Sequence, residues 1–199
     1  ASANSSEYST DVVPITAIRD SVMALVVSER STIQNIDQLE KVLQSGKQVN
    51  VGYGAPGQQM FLEQLFELAK AKKGGPTMVP YKGGGPVVND LLGGHIEIAA
   101  VPLSIVKSHI DAGKIKLLGL ASRSHFEGYN HIPLMKNKYP KWEEFDGFAV
   151  VAEKGTDKDA IAWWSTFLKD YISDESVRKD FTKELTVPVE FGTENLERT

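Results

Sequence analysis

The sequence predicts an α/β protein with a mostly parallel sheet and helices on both faces. Three observations carry this reading. Short apolar runs alternate with stretches of helical periodicity, in β-α-β-α order. Gly-rich turns stand between several of the apolar runs and the helices that follow. Every link between those runs is long enough for the crossover that parallel strands require. Within residues 26–149 the parallel strands are expected near 48–53, 77–81, 96–101 and 116–121.

Taken in order, a polar lead-in precedes the continuous apolar run Val22–Val27, which suits a buried strand. Asn35 caps a helix with Gln38 three residues on, Ile36, Leu39, Val42 and Leu43 share a face, and Gly46 ends it. Strand Gln48–Val51 leads into the turn Gly52–Gly57 and a helix over Gln58–Lys72. Strand Thr77–Tyr81 leads into the turn Lys82–Gly85, and Pro86 suits the first position of helix Val87–Leu92, which Gly93-Gly94 ends. Strand Ile96–Val101 precedes a helix over Leu103–Ala112 that stops at Gly113, and strand Lys116–Ala121 follows. Residues 122–145 read as irregular. Phe148–Ala152 is a strand, and Thr156 caps a helix to about Ile172 with Ile161, Trp164, Phe167, Leu168 and Tyr171 inward. Asp174 caps a last helix through Leu185, and Pro188 makes Val187–Phe191 an edge strand.

Composition removes several function classes. With 199 residues, 41% hydrophobic and 24% charged, the chain can bury a sizeable core, so disorder is excluded for most of it. A net charge of −4 without a basic run argues against a nucleic-acid partner. No apolar stretch approaches the ~20 residues that span a bilayer. The absence of Cys removes disulfides, thiolate catalysis and Cys-ligated metals. The first residues show no signal peptide, and Thr193–Glu197 reads as the cap and first turn of a helix, so the chain is expected to be cut from a longer one.

Two turns carry the chemistry. Gly52-Tyr53-Gly54-Ala55-Pro56-Gly57 fits the G-x-G-x-x-G pattern of dinucleotide sites, but the next strand ends Tyr81-Lys82, without the acid that would hold a ribose. What survives is simpler: N–H groups at Gly57, Gln58 and Gln59 at a helix start suit any anion, unless the glycines serve a tight turn with positive φ. In Lys82-Gly83-Gly84-Gly85-Pro86 the glycines uncover amides before a helix, and Lys82 adds a full charge. The four histidines have no metal-ligand spacing, there is no nucleophile elbow, and the acids are scattered. The expectation is no enzyme, no metal and no cofactor.

The run Val79-Pro-Tyr-Lys-Gly-Gly-Gly-Pro86, then Asp90-Leu-Leu-Gly-Gly94, then His109-Ile-Asp-Ala-Gly-Lys114, resembles the extracytoplasmic solute receptors of tripartite tricarboxylate transporters. Val22–Val27 with Ile36–Leu39, and Gly147–Ala152 with Gly155-Thr156, fit the same family, so the likeness covers about residues 8–192. It implies a periplasmic-binding-protein-like (type II) fold of two α/β lobes with mainly parallel sheets. The first lobe, residues 1–25 with 150–199, would be incomplete, because family members open with a further strand–helix–strand unit; the second lobe would be 26–149. It also implies a periplasmic location, a small organic anion as ligand and integral-membrane permease subunits as partners. Where the family often carries Asp after the third strand, this chain has Val101.

Three readings stand side by side: a periplasmic receptor for a di- or tricarboxylate, an NAD-binding oxidoreductase domain, and the effector-sensing domain of a regulator. For the first, the expected pocket is Tyr53, Gly54, Gly57, Gln58 and Gln59 from one turn, Lys82, Gly83 and Gly84 from the next, and Val101 at the third strand end. Both turns follow parallel strands, so both should open on one edge of the sheet.

Overall fold

The computed structural model describes residues 11–122, 125, 128–143 and 147–192. The chain divides into two compact units, Val22–Asp146 and Ala1–Ser21 with Gly147–Thr199. The divisions fall a few residues earlier than the expected 25/26 and 149/150. The reason is that Met23 to Val27 pair with strands of the larger unit, so Val22–Leu25 cannot belong to the smaller one.

The smaller unit opens with a strand that the sequence hides. Strand β1 (Val12–Ser21) occupies what reads as a polar lead-in. It pairs antiparallel with β7 (Gly147–Glu153) and with β8 (Thr186–Pro188), in the order β7-β1-β8. This sheet is therefore antiparallel throughout, which corrects the expectation of mainly parallel sheets for this part. Pro188 does lie in an edge strand. Arg19 sits 4.9 Å from the centre of the Phe148 ring and 5.2 Å from that of Phe181, and pairs with Glu184.

The larger unit holds a five-stranded sheet, order β4-β3-β5-β2-β6, formed by β2 (Met23–Ser28), β3 (Val49–Tyr53), β4 (Pro76–Pro80), β5 (Ile98–Pro102) and β6 (Ile115–Ala121). β3 is parallel to β4 and β5, and β2 runs antiparallel to β5 and β6. The four strands expected to be parallel thus share one direction, and β2 is inserted against them. Alternation along β2 sends Met23, Leu25 and Val27 to one face and Ala24 and Val26 to the other, all wholly or nearly wholly buried. The first face packs on α1 (Ile36–Ser45), α2 (Pro56–Leu68) and α5 (Met135–Lys138) through Leu39, Leu43, Phe61, Leu62, Leu65 and Met135. The second is covered by α3 (Gly84–Gly93) and α4 (Leu103–Asp111) through Val87, Val88, Leu91, Leu103 and Val106.

Local chemistry explains most helix ends. The Asn35 side chain accepts from the Gln38 N–H, and Gly46 closes α1 at φ 78°. Helix α6 (Lys158–Ser173) is capped by Asp157, which accepts from Asp159 and Ala160, while Thr156 donates to the Glu153 carbonyl and is not the cap. Asp174 caps α7 (Glu175–Lys183), and those hydrogen bonds from Ser176 and Val177 lower its pKa.

The aromatic face of α6 departs from expectation. Trp164, Phe167 and Tyr171 are exposed, with Trp163 59% exposed beside them, and only Leu168 and Ile172 of this helix are buried. Among the described residues, the three-stranded sheet leaves this face of the 16-residue helix uncovered. The rings stack on one another instead: Trp163 lies 5.4 Å from Phe167 at 2°, and Phe167 lies 6.1 Å from Tyr171 at 13°.

Burial separates costly from tolerated substitutions. Leu25→Ala in the middle of the larger sheet should lose about 2–5 kcal/mol by urea denaturation. Trp163→Lys should change stability by less than about 1 kcal/mol. Equal losses would contradict the assigned core.

Candidate functional site

Strands β4, β3 and β5 are neighbours with one direction, so their carboxyl ends lie on one edge of the sheet. From β3 the chain moves outward to β4 and then returns across β3 to β5. Strand order therefore reverses between β3 and β5, and α2 and α3 lie on opposite faces. Such a reversal opens a crevice outside the strand ends, where ligands bind in open α/β sheets.

The first two turns are joined by their backbones. The Tyr81 N–H donates to the Tyr53 carbonyl at 2.8 Å, and the Gly83 N–H donates to the Gly54 carbonyl at 3.2 Å. Glycine at 54 makes this approach possible, because a Cβ there would lie 2.4 Å from the Gly83 carbonyl carbon and oxygen. The G-x-G-x-x-G glycines thus serve backbone contact within the protein. Gly52, Gly54 and Gly57 have no positive φ; in these turns that conformation belongs to Gly83, at 94°.

Helix α2 begins earlier than expected, at Pro56, with no side-chain cap from Ala55. Of the three amides expected to be open, those of Gln58 and Gln59 donate to the Ala55 carbonyl at 3.1 and 3.2 Å. The Gln58 side chain is buried and accepts from the Gly54 N–H at 2.6 Å, so it braces the turn. Gln59 donates to Glu63 at 2.8 Å. Gly57 keeps an uncommitted amide. Tyr53 is half-buried, its ring packed on the core.

Helix α3 begins at Gly84, so Pro86 falls at its third position and not its first. The Gly83 amide is committed to Gly54, which leaves Gly84 and Gly85 as open donors. Lys82 is exposed and pairs with no carboxylate among the described residues. Tyr81 clasps this helix by donating to Asp90 at 2.6 Å. Burial first, then the hydrogen bond and charge of Asp90, push the Tyr81 phenol up to about 12.

The third strand end corrects one residue and adds two. Val101 is wholly buried under the second face and cannot meet a ligand. Helix α4 starts just beyond it at Leu103, again without a side-chain cap, and the Leu103 N–H donates to the Val22 carbonyl at 2.8 Å. Ser104 and Ile105 follow, both exposed, and a Cβ on Gly84 would lie 2.7 Å from Ile105 Cδ1. In sequence they lie three and four residues beyond Val101, at the start of the helix expected over Leu103–Ala112.

Three neighbouring helices therefore start uncapped at one edge. Among the described residues the N–H groups of Gly57, Gly84, Gly85 and Ser104 have no acceptor. Each uncapped start favours an anion by about 0.3–1 kcal/mol when exposed. Elsewhere, a shallow depression of about 440 Å³ lies on α2 between Met60, Glu63, Gln64, Glu67, Leu68, Lys141 and Glu143. Three carboxylates and one lysine make it a poor anion site. Among the described residues no group of His, Cys, Asp and Glu could hold a metal.

A mixed α/β sheet with helix starts gathered at the strand ends is an architecture found in the periplasmic-binding-protein fold. The model of the tripartite tricarboxylate transporter family receptor matches residues 5–195, and the chain belongs to that family. BugT of Bordetella pertussis is 29% identical over 182 residues, which are 90% of this chain and 55% of BugT. The chain thus spans about half the length of that relative. In fold it is similar to R. palustris Rpa4515 with adipate, at TM-score 0.82 and 20% identity, covering 96% of this chain and 64% of that one. It is also similar to the periplasmic binding protein BugD, at 0.77 and 20%, covering 94% and 64%.

Two measurements test this geometry. Gly54→Ala should unfold or displace the paired turns, whereas Gly85→Ala, with nothing within 4 Å of the added carbon, should leave backbone amide spectra of the turns unchanged. For Tyr81 the folded pKa lies near 12 against an ordinary 10.0. Between those pH values the unfolded chain holds fewer protons, so this contribution is complete below about pH 10 and lost as pH rises through about 12. In an ultraviolet titration Tyr81→Phe should remove one late-titrating tyrosine and flatten the alkaline loss of stability. An unchanged alkaline slope would contradict the clasp.

Proposed function

We propose that the chain is part of an extracytoplasmic receptor that captures a small carboxylate and delivers it to a membrane permease of the tripartite tricarboxylate type. One observation carries the proposal: the three helices that start at the edge of β4, β3 and β5 lack side-chain caps, while α1, α6 and α7 are capped by Asn35, Asp157 and Asp174. Open amides at several helix starts match a carboxylate, whose lone pairs accept them, and the adipate with which Rpa4515 was solved is of that class. Family membership supports the transport role, and the periplasmic BugD supports the location.

On this reading the protein binds and releases without chemistry. Gly57, Gly84, Gly85 and Ser104 present the amides, Lys82 adds long-range attraction, and Gly54, Gly83 and Gln58 hold the turns in register. The two units correspond to the two lobes of the family fold. The G-x-G-x-x-G turn gives no support to a dinucleotide site, since Gly54 is filled by Gly83.

Titration calorimetry of the full-length receptor with adipate and malate tests the site. Gly57→Asp should abolish binding, because its carboxylate would occupy the place of the anion. Lys82→Ala should weaken affinity by about tenfold or less, the worth of one exposed charged contact. Unchanged affinity in Gly57→Asp would place the site elsewhere.

A further inference from the structure

Gln58 uses only half of its carboxamide within the protein. The residue is 5% exposed, and its Oε1 accepts the Gly54 N–H at 2.6 Å. That bond fixes which way the group points, since the reversed amide would set its NH2 against the Gly54 N–H. Nε2 is therefore held as a donor. It has no acceptor among the described residues, yet it is not sealed from solvent. A donor left over on so buried a side chain points to an acceptor from outside the chain.

Position decides what that donor meets. Gln58 is the third residue of α2, directly after Gly57 with its uncommitted amide, and its side chain reaches back to the turn that Gly54 forms with Gly83. The other two uncapped starts have no such group. Lys82 before α3 and Ser104 on α4 are both exposed, and no hydrogen bond among the described residues fixes either side chain. A neutral donor already held in one orientation loses little conformational freedom when an acceptor arrives.

Resting on the carboxylate-receptor reading, we infer that the start of α2 is the anchor for the ligand carboxylate, and that Gln58, besides bracing the turn, donates from Nε2 to one of its oxygens. Gly57 supplies the neighbouring backbone N–H. Brace and donor are two ends of one group, so the contact that sets the turn also aims the donor.

Titration of the full-length receptor with adipate gives two tests. In an amide spectrum of the native protein the Gln58 side-chain NH2 resonances should shift on saturation; unmoved resonances with adipate bound would overturn the inference. By calorimetry, Gln58→Glu still accepts the Gly54 N–H but sets an anionic oxygen where the donor stood, and adipate affinity should fall about a hundredfold or more. Gln59→Glu adds the same charge one residue on without removing the donor, and should cost about tenfold or less. Equal losses in the two variants would reduce the effect to charge alone and overturn the inference, as would unchanged affinity in Gln58→Glu. The Gly54 amide resonance reports whether the brace survives in Gln58→Glu; where it does not, the native spectrum decides. If adipate fails to bind the native receptor, the carboxylate reading itself falls and takes this inference with it, an outcome distinct from binding that leaves Gln58 unmoved.

Discussion

The contact between Gly54 and Gly83 is the constraint on which the site depends. Parallel pairing of β3 and β4 continues past both strands as two backbone hydrogen bonds, and the turns touch where a single Cβ would force them apart. That contact fixes where α2 and α3 begin. It also decides which amides are consumed in holding the turns together and which remain open. The Gln58 side chain completes the arrangement from inside by accepting the Gly54 N–H.

Beneath this edge, rigidity comes from the larger sheet. β2 runs against its neighbours and is buried on both faces, so the strands on either side are tied by backbone ladders and by side chains above and below. Tyr81 extends the same rigidity into α3 by joining the end of β4 to Asp90. Lys138 ties α5 to α1 through Asp37 at 2.5 Å and Glu40 at 2.9 Å, and those two acids raise its pKa. Positions of open donors on such a frame are set before any ligand arrives, which reduces the ordering cost of binding.

Much of this was legible in the residues. The four parallel strands, the caps at Asn35 and Asp174 and the shared edge of the two glycine turns follow from apolar periodicity and turn chemistry. Strand β1 was hidden because Pro14, Arg19 and Asp20 break its apolar pattern, although Ile15, Thr16 and Ala17 are buried. The aromatic set on α6 has the spacing of a core stripe, and spacing alone does not say whether a partner surface exists. Val101 was misplaced for a different reason: period-2 alternation puts it under α3 and α4, and only the residues after the strand end reach the crevice. Which amides stay open depends on hydrogen bonds between segments far apart in sequence, such as Leu103 to Val22, and no local pattern encodes those.

The most direct test of the central claim is a backbone amide spectrum of the protein titrated with adipate. The account predicts that shifts concentrate at Gly57, Gly84, Gly85 and Ser104, while the committed amides of Gly54, Gly83 and Leu103 move little. Shifts centred on Met60, Glu63 and Glu67 of the α2 depression, or none at the three helix starts, would contradict it.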